Sequence, residues 1–429
     1  MNKENSINYV FENEALSFKS YITEFTDEIY NEFDLKSKEA GLLLKIDDLF
    51  SGKKINTTEG LAAWHTKIRA EHIEPFSKQK YIELFHSAIN IVTIGIGGSF
   101  EGPKLLIEAE GNTEKNYIFI TGSDSNEFKE KTEKLNPNET IFIVSSKSFT
   151  TEETITTLND AIRWSQDMNK FLAITANKSE AQKYNIKNII EFDKEIGGRY
   201  SIWSDISIAA HWENNHEYKN NFIMGGKQAD KDLNKDQSYL KFVKTLAFSD
   251  IWLNNYKNKS SRAVLSYIWK FRSLPDYVQQ LEMESLGKKP SKKSGFNKTG
   301  QIIFGGYGPK AQHSYFQLLH QGTQDVCADI IASKENTKSL AYAQAITQAN
   351  LLSNGANDFL KEEEKINGNI PLNLFTLNKI NAYNLGYLIA TWEHRTFITA
   401  VMVGINPFDQ FGVSAGKIYT KKYLKENGG

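Results

Sequence analysis

Six short segments carry side chains suited to chemistry. Thr93-Ile94-Gly95-Ile96-Gly97-Gly98-Ser99 closes an apolar run. Its glycines let the backbone turn sharply and bring N–H groups near an anion, although a plain strand-to-helix turn uses the same residues. It fits neither GxGxxG nor GxxxxGK[ST], so a dinucleotide or a nucleoside triphosphate is disfavoured. Ser145-Ser146-Lys147-Ser148-Phe149-Thr150-Thr151-Glu152-Glu153 follows a second apolar run. Thr150 and Glu153 have capping-box spacing. Capping leaves the further hydroxyls and Lys147 unexplained, and together with free helix N–H groups they make a phosphate seat.

Gly197-Gly198-Arg199-Tyr200-Ser201 offers an arginine that cannot lose its proton and can steady an oxyanion, or can bridge surface carboxylates. Met283-Glu284-Ser285-Leu286-Gly287-Lys288 ends an apolar helix. Glu284 there is a general base if partly desolvated and an ordinary helix-end carboxylate otherwise. The lysine-rich stretch after it reads as a solvated loop. His313, just before YFQLLHQG, sits where a loop could present a general acid, whereas His320 lies deeper and reads as packed. The run 406–417 reads as a turn and a short helix bearing Lys417.

The elements that must hold these residues follow from hydrophobic rhythm. Apolar runs at 91–96, 117–121, 140–145, 171–176 and 188–192 predict parallel strands alternating with helices. Further strands are expected at 263–268, 301–306, 326–331 and 371–377, and helices at 274–286, 312–320, 339–354 and 382–403. Phe18, Tyr21, Ile22, Phe25, Ile29 and Phe33 have the spacing of one helical face, which predicts a helix over 17–33. The polar stretches 212–221 and 228–237 predict a loop or domain boundary. The chain thus reads as two α/β sandwiches in series.

At 429 residues the chain is long for a single core. A formal charge of −1 argues against nucleic acid or an anionic membrane as partner. One cysteine, Cys327, excludes an intrachain disulfide framework. The N-terminus lacks a signal-peptide core and nothing approaches a membrane span, so the expectation is a soluble cytoplasmic protein.

Together the segments IGIGGS, SSKSFTTEET, GGRYS, MESLGK, GPKAQHSYFQLLHQGT and FDQFGVSAGK resemble the glucose-6-phosphate isomerase (phosphoglucose isomerase) family over roughly residues 60–420. The resemblance implies an α/β fold of two three-layer sugar-isomerase (SIS) sandwiches with mostly parallel sheets, N-terminal helices and a C-terminal helical arm. On that basis residues 1–60 form a helical segment on the second domain, 61–222 the first sandwich and 223–429 the second. The implied reaction interconverts D-glucose 6-phosphate and D-fructose 6-phosphate through a cis-enediol, without metal or other cofactor, in a homodimer.

The same resemblance gives the site. Gly98, Ser99, Ser146, Lys147, Ser148 and Thr151 would seat the substrate, the hydroxyls and Lys147 around its phosphate, with Glu153 beside the loop. Glu284 would move the proton between C1 and C2. Arg199, with Gly198, would steady the enediolate oxygen. His313 and Lys417 would assist ring opening, and Gln410 would line the pocket. Phe411 stands where the family usually has Trp, Ser414-Ala415 where it has Glu-Leu, and Leu286 where many members have Asn. Activity on mannose 6-phosphate is an alternative. A non-catalytic sugar-phosphate sensor is another, but it would not need Glu284, Arg199 and His313 together.

Overall fold

The computed structural model describes residues 8–71, 81–111, 114–213, 215–358 and 361–427. Eleven strands among them form two sheets. The N-terminal pair is β1 (Tyr9–Glu12) and β2 (Leu16–Ser20). The first α/β region supplies β3 (Asn90–Ile94), β4 (Asn116–Ile120), β5 (Thr140–Ser145), β6 (Phe171–Thr175) and β7 (Asn188–Glu191). The second supplies β8 (Ser261–Ser266), β9 (Ile302–Tyr307), β10 (Val326–Ser333) and β11 (Leu372–Leu377).

The five-stranded sheet has order β4-β3-β5-β6-β7 and is parallel throughout. The six-stranded sheet has order β1-β2-β11-β10-β8-β9. It is parallel from β11 to β9, while β2 joins β11 antiparallel. The expected strands therefore lie within a few residues of the observed ones.

Alternation of side chains explains how both sheets are covered. Ile91, Ile141, Ile143, Leu172 and Ile174 enter one core, while their neighbours Val92, Phe142, Val144, Phe171 and Ala173 enter another. In the second sheet Val264, Ile303, Ile331 and Phe375 join the first of those cores. Ala263, Leu265, Ile330 and Leu374 face a third. The two sheets thus share one central core, built with the helices Gln237–Tyr256, Leu274–Leu286 and Ala382–Val403. The last of these is buried along almost its whole length, and the charged groups it buries, Glu393, His394 and Arg395, are paired with Arg69, Asp230 and Asp250.

Three expectations are corrected here. Residues 17–33 are not one helix, and the segment 1–60 is not wholly helical. Leu16, Phe18 and Ser20 are buried in alternation on β2, and a helix, Asp27–Glu39, starts only after the N-cap Thr26. The apparent helical spacing straddled a strand and a helix. Nor do the described residues of 212–221 and 228–237 form a loop: the helix Asn215–Lys235 runs through the expected boundary at 222–223. Its Asn, Asp and Lys residues resemble a turn in composition, but Phe222, Ile223, Ala229 and Leu233 are buried along it. No described helix is long and apolar enough to cross a membrane.

Candidate active site

The glycine turn after β3 is a short 3-10 helix, Gly97–Ser99. A Cβ on Gly98 would lie 1.9 Å from the carbonyl oxygen of Gly198. Only hydrogen fits there, so Gly98 lets two loops touch: its own, and the 3-10 helix Gly198–Trp203 that carries Arg199.

The hydroxyl-rich loop leaves β5 and ends in the helix Glu152–Ser165. Its hydrogen bonds are mostly internal. Ser146 Oγ accepts from Phe149 N at 3.1 Å and lies 3.2 Å from Thr151 Oγ1. Ser148 Oγ accepts from Thr150 N and Thr150 Oγ1 at 3.2 and 2.9 Å. The buried Phe149 holds a left-handed backbone at φ +54°, which a non-glycine residue adopts only when its surroundings enforce it. The expected capping box is not formed: Thr151, not Thr150, is the N-cap, and its side chain makes no bond to the helix. Thr150 is spent inside the loop instead. Lys147 Nζ donates to Ile196 O at 3.2 Å and so bridges this loop to the arginine loop. Burial lowers the Lys147 pKa, and Arg199 adds to that effect.

Glu284 stands on the helix Leu274–Leu286, which has Pro275 in its first turn and Gly287 after its end. Tyr277, Val278, Leu281, Glu282 and Ser285 form its buried face. Glu284 points off that face and keeps 34% side-chain exposure, which leaves it reachable. Arg199 is 1% exposed. Its Nη1 donates to Glu284 Oε2 at 3.1 Å and to Gln410 Oε1 at 2.9 Å. Its Nη2 donates to Pro407 O and Asp409 O at 2.6 and 2.9 Å, and its Nε to Ser285 Oγ at 2.8 Å.

Two neighbours of this group were not singled out from sequence. Gln280, one turn before Glu284, donates from Nε2 to Glu284 Oε2 at 3.3 Å, and its own Oε1 is buried without a partner. The i,i+4 spacing on a predicted helix was the available signal. Lys288 does not belong to a solvated loop. Its Nζ donates to Ser285 O and Asn406 O at 2.9 and 2.7 Å and lies 3.4 Å from Asp409 Oδ1, tying the end of the helix to segment 406–409.

The structure therefore brings Arg199, Glu284 and Gln410 into direct contact and sets Gly98 against Gly198. Ser99 is half-buried in the adjoining turn, and Glu153 lies in the first turn of the helix behind the hydroxyl loop. Lys417 sits in the exposed helix Ser414–Glu426. It shares a face with Lys421, one turn on, whose Nζ is 3.4 Å from Glu152 Oε1. His313 is exposed in the turn between the helices Gly308–Ala311 and Phe316–Gln321. No contact among the described residues joins it to Arg199 or Glu284. His320 is half-buried, its Nε2 2.8 Å from Gln348 Oε1.

Residues 78–428 match the phosphoglucose isomerase family. A glucose-6-phosphate isomerase of Legionella pneumophila (strain Paris) is 34% identical over 89% of this chain and 83% of its own length. That of Helicobacter pylori (strain J99) is 31% identical over 99% of this chain and 90% of its own. The crystal structure of a glucose-6-phosphate isomerase from Chlamydia trachomatis superimposes with a TM-score of 0.83 at 21% identity, covering 98% of this chain and 90% of that one, and so has the same fold. With 351 consecutive residues matched, the chain belongs to the phosphoglucose isomerase family.

Proposed function

We propose that the protein interconverts D-glucose 6-phosphate and D-fructose 6-phosphate, with Glu284 as the base that carries a proton between C1 and C2. The observation that carries this reading is the Arg199–Glu284 pair. A reachable carboxylate lies 3.1 Å from a buried, permanently charged guanidinium. Base and oxyanion partner are thus placed together, and the enediolate oxygen would replace Glu284 or Gln410 as a partner of Nη1. Ser146, Lys147, Ser148 and Thr151 would hold the phosphate, with Gly98 and Ser99 beside them, so that binding remote from the reacting carbons orients the sugar. Gly198 brings Arg199 to that seat, and Glu153 lies behind it. His313 and Lys417 would assist opening of the sugar ring, in which the ring oxygen gains a proton and the anomeric hydroxyl loses one.

A homodimer is part of this reading. Every described residue of Ser414–Glu426 is exposed, including Ile418, Tyr419, Tyr423 and Leu424. A helix this short is marginal without a surface to pack on, and a second copy would supply one. His313 would then serve the neighbouring chain's site. We read the two sheets as the centres of two sugar-isomerase sandwiches, with the helix Asn215–Lys235 continuous across the step from one to the other and the strands of 1–60 added to the second.

The test is Glu284→Gln. Turnover of fructose 6-phosphate should fall by about 10²–10⁴-fold, the usual contribution of a general base, while a phosphorylated sugar inhibitor binds nearly as before. A variant keeping more than about a tenth of wild-type turnover would place the base elsewhere.

A further inference from the structure

Glu284 and Arg199 are cross-linked through their own sequence neighbours. Ser285 follows Glu284, and Tyr200 follows Arg199. Ser285 Oγ accepts from Arg199 Nε at 2.8 Å and lies 3.1 Å from the Tyr200 hydroxyl. Tyr277, two helical turns before Ser285, donates its hydroxyl to the Arg199 carbonyl oxygen at 3.2 Å. Ser285, Tyr200 and Tyr277 are all buried.

Taking Arg199 and Glu284 as the reacting pair proposed above, we infer that Ser285 is a positioning residue for the isomerisation, its hydroxyl fixing the roll of the Arg199 guanidinium so that Nη1 faces the sugar.

A guanidinium has five N–H donors in one plane. The bonds from Nε and Nη2 end on buried acceptors: Ser285 Oγ, Pro407 O and Asp409 O. The bonds from Nη1 end on Glu284, which is half-exposed, and Gln410, which is exposed. The fork is thus held on its protein side and offered on its open side. The two carbonyls grip a single nitrogen, Nη2, and by themselves leave the roll of the group about the side-chain bonds less firmly fixed. Ser285 is the second buried anchor, at Nε, and it fixes that roll. The Tyr200 ring, stacked on His65 at 4.5 Å between centroids, keeps the serine hydroxyl turned towards Nε. Without the serine oxygen, Nε–H would be buried without its acceptor, and the guanidinium would roll to regain one. A guanidinium rolled out of this position would no longer turn Nη1 to Glu284 and the sugar.

Turnover and Michaelis constant should therefore separate. Ser285→Ala should lower kcat by about tenfold or more, as misplacement of a reacting group does, with the Michaelis constant changed by less than about threefold because the phosphate seat is untouched. Ser285→Thr, which keeps the hydroxyl, should recover most of the loss. The decisive measurement repeats Ser285→Ala in an Arg199→Lys background, with folding followed by near-ultraviolet circular dichroism. A residue acting through Arg199 costs little more once the guanidinium is gone. An equal loss in both backgrounds would overturn the inference and leave the catalytic reading standing. An Arg199→Lys variant with wild-type kcat would overturn the catalytic reading, and the inference with it. If Ser285→Ala fails to fold, Tyr200→Phe makes the same comparison with packing kept: a kcat loss that disappears in Arg199→Lys supports the inference, and no loss, or an equal one, overturns it.

Discussion

A lysine is expensive to bury, and Lys147 is half-buried with its pKa lowered by desolvation. Its ammonium meets a carbonyl oxygen, Ile196 O, rather than a carboxylate. Glu59, Glu195 and Asp193 act on it only through space, and an arriving phosphate would add a directly bonded negative charge. Lys147→Ala should raise the Michaelis constant for fructose 6-phosphate by about tenfold or more, in line with a lost charge-assisted hydrogen bond. Steady-state kinetics should show the inhibition constant of inorganic phosphate rising in parallel. Unchanged phosphate inhibition beside a lower kcat would make Lys147 part of the reaction and move the phosphate seat elsewhere. Ser146, Ser148 and Thr151 are legible as a cluster in the amino-acid sequence, because no capping function uses so many hydroxyls. That Ser146 turns inward to Phe149 N is not legible there, since it follows from the left-handed backbone at Phe149.

At the scale of elements, the helix of Glu284 is placed by its neighbours rather than by its own propensity. The helices Asn215–Lys235 and Ala382–Val403 cross where both carry glycine. A Cβ on Gly386 would lie 2.0 Å from Phe222 O, and one on Gly225 1.9 Å from Tyr383 O. The helix Ala382–Val403 in turn donates Trp392 Nε1 to Glu282 Oε1 at 2.8 Å, two residues before Glu284. Gly386→Ala should push the two helices apart and destabilise the protein by about 1–3 kcal/mol, the usual cost of overpacking. Urea unfolding would read this as a lower midpoint, and an unchanged midpoint would mean that the crossing has room for a methyl group. The 382–403 helix was visible from its apolar length. Its partner was not, because the crossing needs glycines and backbone oxygens, which leave no hydrophobic pattern, and polar residues surround them in the sequence.

Over the whole molecule, the placement of His313 makes a prediction about assembly. Mixing inactive His313→Ala with inactive Arg199→Ala subunits under exchange conditions should restore activity. In a mixed dimer one site combines the wild-type Arg199 of one chain with the wild-type His313 of the other. No recovered activity, with exchange verified by mass, would return His313 to its own chain's site. A second whole-molecule property is acid sensitivity. His65 is fully buried beside Glu393, Arg69 and Asp230, and burial pushes its pKa down from 6.5 to about 4. The unfolded chain then binds a proton that the folded one refuses. Stability from this residue is complete above pH 6.5 and is lost as pH falls from 6.5 towards 4, by about 3 kcal/mol. Thermal melts across that window should show a smaller acid loss for His65→Gln than for wild type. Equal losses would mean that His65 is protonated in the folded state.

By itself, the sequence determined the layered α/β class, the strand positions within a few residues, and the segments proposed here to carry the chemistry. These depend on local alternation, on helical spacing and on residue types, all of which are properties of neighbours along the chain. The tertiary structure alone decided that β1 and β2 extend the second sheet, that 215–235 is helix, and that both sheets share a core. It also decided that Arg199, Glu284 and Gln410 meet, though 85 and 211 residues separate the arginine from its two partners. Contacts over such distances arise from which buried faces fit one another, and no local pattern in the chain encodes that fit.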